Sequence, residues 1–220
     1  MESAHALNIL VHVLAGAAAL VTGLVPLLTR KGSVRHRRGG WVFAVFGGLV
    51  VVSSLTGVVV FDHPDALAAA ALSVAYQYVG GLRSLSRVGA GPDRLDAAMA
   101  VALLVGAGAL MLRMGPGAPP WTPTLGYSVL GFVSMVALYD LSRHFWAATW
   151  RTHVRPIDHG LKMTGAYFAM LSAGLGNLLP ALSPWSATLP SVLGTLVMIA
   201  FGVTYARRRL DRRRLAAVAA

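Results

Sequence analysis

The apolar residues of this chain gather into seven long stretches, at roughly 6–28, 41–61, 66–82, 95–113, 124–142, 157–179 and 189–206. A helix needs about 20 apolar residues to cross the hydrocarbon core of a bilayer. Most stretches reach that length, and the third and fourth are the shortest. Chain breakers sit in the gaps: Gly39-Gly40, His63-Pro64-Asp65, Gly89-Ala90-Gly91-Pro92, Gly115-Pro116-Gly117 with Pro119-Pro120, Pro156, and then Pro180 and Pro184. The pattern predicts an all-α, polytopic transmembrane helical bundle of about seven spans over 1–206, with a basic tail over 207–220.

The polar positions between the stretches give the bundle a direction. One set of gaps holds Arg30, Lys31, Arg35, Arg37 and Arg38, then Arg83, Arg87 and Arg94, then Arg143, Arg151 and Arg155, and finally the six arginines of the tail. Every second gap is involved, so seventeen of the 19 Lys and Arg residues fall on one side of the bundle. Lys162 lies one turn inside the sixth stretch on that side, and Arg113 alone falls at the other face. Basic residues collect in cytoplasmic loops. The sorting therefore predicts a multi-pass membrane protein with its N-terminus outside and its C-terminus in the cytoplasm. A soluble bundle gives no such alternation.

Composition agrees. Of 220 residues, 56% are hydrophobic and 12% charged, about half the charged share of a soluble domain. The net charge of +11 is therefore read as membrane topology and not as a nucleic-acid surface. The partner implied is the lipid bilayer, with a homo-oligomer or a larger membrane complex left open. No cysteine is present, which excludes disulfides, thiolate metal sites and cysteine catalysis. Met1-Glu2-Ser3 lacks the positive start of a signal peptide, so the first stretch reads as a retained span. The five tryptophans fall near stretch ends, as an interfacial belt would. The 24 glycines suit close helix packing, and Asn177 suits a polar contact between helices.

Candidate chemistry lies in the seven histidines, which the topology divides. His5, His12 and His63 fall on the outer side, and His36, His144, His153 and His159 on the inner side. His12 is embedded and must face the bundle interior with a partner. It is either a ligand or proton carrier, or a neutral ring bonded to a neighbouring helix. Asp62, His63 and Asp65 could close over that side as a metal site or form a plain polar loop. On the inner side Asp140 and His144 are spaced i,i+4, His36 lies in the basic loop, and His159 follows Asp158, itself suited to a helix N-cap. Carboxylate and imidazole together suit a divalent metal, and two imidazoles suit haem b. No HExxH, CxxCH, GxSxG, GxxxxGK[ST] or GxGxxG pattern is present, and Ser53, Ser54 and Ser172 have no evident base.

A further pattern runs through most of the chain: His12-x3-Gly16, Ala19-Leu20-x2-Gly23, Lys31-Gly32-x3-His36-Arg37-x-x-Gly40, Tyr78-x-Gly80-x-Leu82-Arg83, Tyr139-Asp140-Leu141 and His159-x3-Met163-x-Gly165-Ala166-Tyr167. It resembles the bacterial predicted-membrane-protein family known as domain of unknown function 2306. The resemblance implies the fold and membrane location and singles out His12, His36 and His159. It supplies no activity. The first hairpin also looks faintly like cytochrome b561-type haem proteins, although His12 has no embedded histidine partner. Three readings follow. The first is a redox protein holding haem b near the inner face through His159 with His36 or His144. The second is a cofactor-free small carrier, proton path or complex subunit in which His12 relays a proton. The third is a metal-dependent membrane enzyme with Asp140, His36 and His159 as ligands.

Overall fold

The computed structural model describes residues 2–61, 63–86 and 90–218, with side chains through Arg207. Asp62, Arg87 and the later tail arginines fall outside what it describes at side-chain level. The described residues are helical, with no strand among them. Seven long helices follow one another: α1 (Glu2–Leu28), α2 (Val34–Val60), α3 (Asp65–Ser86), α4 (Arg94–Arg113), α5 (Pro123–Ser142), α6 (Arg155–Leu178) and α7 (Trp185–Val218). Short helical turns over 143–154 join α5 to α6.

Local chemistry sets the helix starts. Ser33 caps α2, its hydroxyl accepting from the His36 amide at 3.2 Å. Asp93 and Asp96 form a reciprocal capping box at α4, and Thr122 caps α5 ahead of Pro123. Two expectations change as a result. His36, Arg37 and Arg38 lie on the first turns of α2 and not in a loop, because the Ser33 cap starts that helix early. Asp158 is no cap, because α6 already begins at Arg155; its carboxylate turns into the bundle.

Five helical stretches are long and apolar enough to cross a membrane: α1, α2, α4, the continuous run Pro123–Leu178 that contains α5 and α6, and Trp185–Arg207. α3 falls short by composition because it is the central helix. It packs against α2, α4, α5 and α6, and Ser73, Tyr76, Gln77 and Tyr78 on it are all buried. A helix enclosed by protein has polar partners within reach and can carry polar residues that lipid would penalise. α6 is the second central helix, against α1, α3 and α7. Two tryptophans also leave the expected interfacial belt. Trp121 and Trp150 are buried, whereas Trp41 and Trp185 are exposed. The indole of Trp121 donates to Asn177 at 2.9 Å, a contact that ties the start of α5 to the end of α6.

Hydrogen bonds and ion pairs define the two ends of the bundle. At one end Lys31 lies over the Phe201 ring, His159 meets Gly81, and the Tyr205 hydroxyl donates to the His153 carbonyl. That is the arginine-rich end. At the opposite end Asn8 donates to the Ser53 carbonyl, His5 stacks on Phe61, and Arg113 pairs with Asp65. The α1–α2 hairpin is locked to α6 at Gly23. A β-carbon there would lie 2.8 Å from Tyr167 and 2.9 Å from Phe43, both ring carbons of packed aromatics. The Tyr167 hydroxyl donates to the Leu20 carbonyl at 3.1 Å, so the ring cannot swing away freely. Replacing Gly23 by Leu therefore costs about 1–3 kcal/mol through overpacking, read as a lowered thermal midpoint of the purified protein in detergent; an unchanged midpoint refutes the wedge.

Candidate functional site: a buried ion quartet beneath a lateral cavity

The main polar feature was only partly visible in the sequence. Asp140 and Arg143 at the end of α5 meet Asp158 and Lys162 at the start of α6, and each is only 2–3% exposed. Lys162 Nζ lies 2.6 Å from Asp140 Oδ1 and 3.3 Å from Asp158 Oδ2. Arg143 spans the same two acids, with Nη2 at 3.1 Å from Asp140 and Nη1 at 2.9 Å from Asp158. α3 completes the shell. The Tyr76 hydroxyl donates to Asp140 Oδ2 at 2.7 Å, and the Ser84 hydroxyl donates to Asp158 Oδ2 at 2.6 Å. Two anions and two cations cancel formally, and hydrogen bonds from a third helix satisfy remaining lone pairs.

Aromatic rings seal the quartet. The Arg143 guanidinium lies 4.8 Å from the centre of the Trp150 ring, and Trp150 is 1% exposed. The π-helical turn Trp150–Val154 brings that indole back over the end of α5. Tyr139 faces both cations at 5.8 Å.

Beside the quartet, toward the opposite end, lies a cavity of about 330 Å³ between α3, α5, α6 and α7. Ser73, Gln77, Gly165, Phe168 and Ser172 form its inner wall, and Ser128, Ser191 and Thr195 its exposed rim. Gln77 adjoins Tyr76 on α3, and Gly165 is one turn from Lys162 on α6. The quartet thus lies about one helical turn beyond the cavity along α6, and none of its four residues lines the cavity.

The histidines fall into separate local settings. The His36 and His159 rings are near enough to interact electrostatically. His36 Nδ1 lies 3.0 Å from the Pro26 carbonyl, and His159 Nδ1 lies 2.9 Å from the Gly81 carbonyl. A carbonyl accepts only, so each ring carries its proton on Nδ1 and leaves the Nε2 lone pair free. His12 Nδ1 lies 2.9 Å from the Ser53 hydroxyl, which itself donates to the Leu49 carbonyl at 2.7 Å. The serine proton is thereby spoken for, and the His12 Nδ1–H donates to Ser53 Oγ. His144 does not join the group. The chain leaves the α-helix at Arg143, and the two His144 nitrogens face the carbonyls of Leu141 and Asp93 at 3.2 and 3.0 Å. Asp140 turns instead to Lys162, Arg143 and Tyr76, and its contacts include neither imidazole. Among the described residues no group of three or more His, Asp or Glu side chains is placed to hold a metal ion. Asp65 is engaged by Arg113 at 2.6 Å and by the Gly115 amide at 3.1 Å. The guanidinium holds the Asp65 carboxyl below the ordinary carboxylate range. Asp62, the third member of that expected grouping, lies outside the described residues.

Sequence reasoning had a signal for the quartet and did not combine it. Lys162 inside an apolar stretch needs an acid, and Asp158 stands four residues before it. Asp140 with Arg143 repeats the pattern three residues apart. Compared with known proteins, the chain matches no family model, no curated protein and no solved structure.

Removing one partner of a buried ion pair strands the others in low dielectric, at a cost on the order of 3–5 kcal/mol. Lys162→Met should therefore lower the thermal midpoint sharply. Adding Asp140→Leu to it restores formal neutrality and should recover part of the loss. Equal midpoints for Lys162→Met and the native chain would mean the cluster is not energetically coupled.

Proposed function

We propose that the protein is a seven-span, cofactor-free carrier of the bacterial cytoplasmic membrane, with the arginine-rich end inside and the quartet as the closed gate beneath its binding cavity. Seven helices of near-spanning length and the parity of the basic gaps support the count and orientation. Membership of the family with the resembling histidine and glycine motifs is part of the proposal and rests on those motifs. The observation that carries it is the presence of two features in one helix cluster: a cavity between α3, α5, α6 and α7, and about one turn from it along α6, four buried charges at the facing ends of α5 and α6. Ionisable groups inside a membrane bundle are expensive, and they concentrate along substrate and ion pathways. Salt bridges of this kind have two arrangements, paired and parted, which is what a gate requires.

The absence of cysteine makes a direct test simple. Ser172→Cys places a single thiol on the cavity wall. It should react with a membrane-impermeant maleimide added to the outer face and not with one added to the cytoplasmic face of inverted vesicles. In the Lys162→Met, Asp140→Leu background it should also react from the cytoplasmic face. Protection from both faces in both backgrounds rules out the carrier.

A second reading is favoured by one specific observation, the two carbonyl-locked imidazoles. Ligating histidines commonly donate their second ring nitrogen to a carbonyl, and His36 and His159 both do so with Nε2 free. On this reading the protein is a redox protein and the two rings hold haem b at the cytoplasmic face. Protein purified after haem-replete expression should then show a Soret band that His159→Ala abolishes, and a featureless visible spectrum removes the reading.

A further inference from the structure

Gln77 is 2% exposed, lies on the central helix α3, and forms part of the cavity wall. Its amide orientation follows from chemistry. One end of the amide lies 3.3 Å from the Ser73 carbonyl and 3.1 Å from the Ser73 hydroxyl. The carbonyl can only accept, so the NH2 must be at that end, and Oε1 points the other way, against Gly165. A β-carbon on Gly165 would collide with Oε1, so the glycine is what gives that oxygen its room. No donor among the described residues reaches Oε1, and the two residues it lies between, Gln77 and Gly165, both line the cavity. An amide oxygen in a cavity wall without a donor can accept from a ligand.

The surroundings narrow the ligand further. None of the residues that line the cavity is ionisable. A charged group there would be desolvated without a counter-ion, because the quartet beyond the cavity is already neutralised by its own pairs. The volume of about 330 Å³ is at the small end for ligand sites. α5 and α7 are not packed against each other, and the exposed Ser128, Ser191 and Thr195 mark the slot between them. That slot opens sideways, onto the face that a bilayer would cover, while the cavity also reaches Trp121 and Thr188 at the end opposite the arginines, the side from which a water-soluble reagent would enter.

We propose that this cavity takes a neutral, single-chain amphiphile from the bilayer, its hydroxyl donating to Gln77 Oε1 and its chain leaving between α5 and α7. The class is a long-chain or isoprenoid-type alcohol, as opposed to a fatty acid or a phospholipid. The inference rests on the reading of this cavity as a binding site. The two can fail separately: a water-borne polar ligand would leave the sided labelling of Ser172→Cys intact while removing the preference described next.

The test uses the full-length protein in phosphatidylcholine nanodiscs and three photoactivatable probes of one chain length, ending in a hydroxyl, a methyl or a carboxylate. The hydroxyl probe should label the facing surfaces of α5 and α7, near Phe132 and Met198, about five- to tenfold more than the methyl probe, the worth of one neutral hydrogen bond in an apolar site. The carboxylate probe should label least. In Gln77→Met, which keeps length without an acceptor oxygen, the hydroxyl preference should vanish. In Gly165→Ala it should fall, because the added methyl displaces the amide. Competition of labelling by unlabelled alcohol but not by the matching alkane, measured on the native chain, gives the same answer without any variant. Equal labelling by alcohol and alkane, preference retained in Gln77→Met, a carboxylate probe that labels best, or no labelling at all overturns the proposal.

Discussion

Four charged side chains buried together in a largely apolar bundle set the terms for the rest of this structure. Desolvating a carboxylate or an ammonium costs several kcal/mol even after relaxation. The cost is tolerable here because each charge contacts both opposite charges, and because Tyr76 and Ser84 bring neutral donors from a third helix. That requirement fixes α3, α5 and α6 relative to one another at the arginine-rich end. It also explains why α3 falls short of the apolarity of a spanning helix. A helix that must present Tyr76 and Ser84 to a charged cluster, and Gln77 to a cavity, has to be enclosed by protein on most sides. α6 takes the other central place for the same reason, with Asp158 and Lys162 buried at its start.

The fold was legible in the sequence to the extent that it follows from one-dimensional quantities. Apolar length and breaker placement located all seven long helices, five of them within about four residues at each end, because both are set by the chain's own local chemistry; α2 begins at Val34, well ahead of its stretch, and α7 continues to Val218 through the segment expected as a tail. The errors came where a cap or a turn shifted a boundary. Ser33 starts α2 ahead of its apolar stretch, which moved His36 from an expected loop onto a helix. The 3-10 turn at Arg143 took His144 away from the helical face it was expected to share with Asp140. Neither event has a hydropathy signature.

The site was less legible. Periodicity says which residues share a helical face, but not which faces meet. Asp140 was singled out as a candidate metal ligand beside imidazoles, where the structure places a lysine, an arginine and a tyrosine. The local halves of the quartet, Asp140 with Arg143 and Asp158 with Lys162, were readable at i,i+3 and i,i+4 spacing. Their convergence depends on α5 and α6 being joined by a compact turn that folds Trp150 over Arg143, and that is a tertiary fact. Gln77 gave no signal at all, since one glutamine in an alanine-rich helix looks like a simple packing contact. Gly165 likewise was visible only as part of a motif, although its missing side chain is what leaves the amide oxygen of Gln77 accessible.

Charge and cavity also constrain each other. The quartet is neutral, so it exerts little net pull on an ion in the cavity, and the cavity wall adds no charge. A binding site so built would discriminate by hydrogen bonding and shape: charged molecules would be rejected by desolvation alone, and apolar ones accepted without selectivity unless a polar group found Gln77. On the carrier reading, the quartet as gate and the cavity as pocket therefore have separable physics. Parting the ion pairs costs electrostatic energy that ligand binding in the cavity does not itself return, so any movement of α5 against α6 must be driven by contacts made in the parted state. The residues positioned to feel both are Tyr76 and Gln77, adjacent on α3, one bonded to Asp140 and the other facing the cavity. A rotation of α3 by a fraction of a turn would change both environments at once. That makes the central helix, and not the charged helices beside it, the element through which occupancy of the cavity would reach the gate.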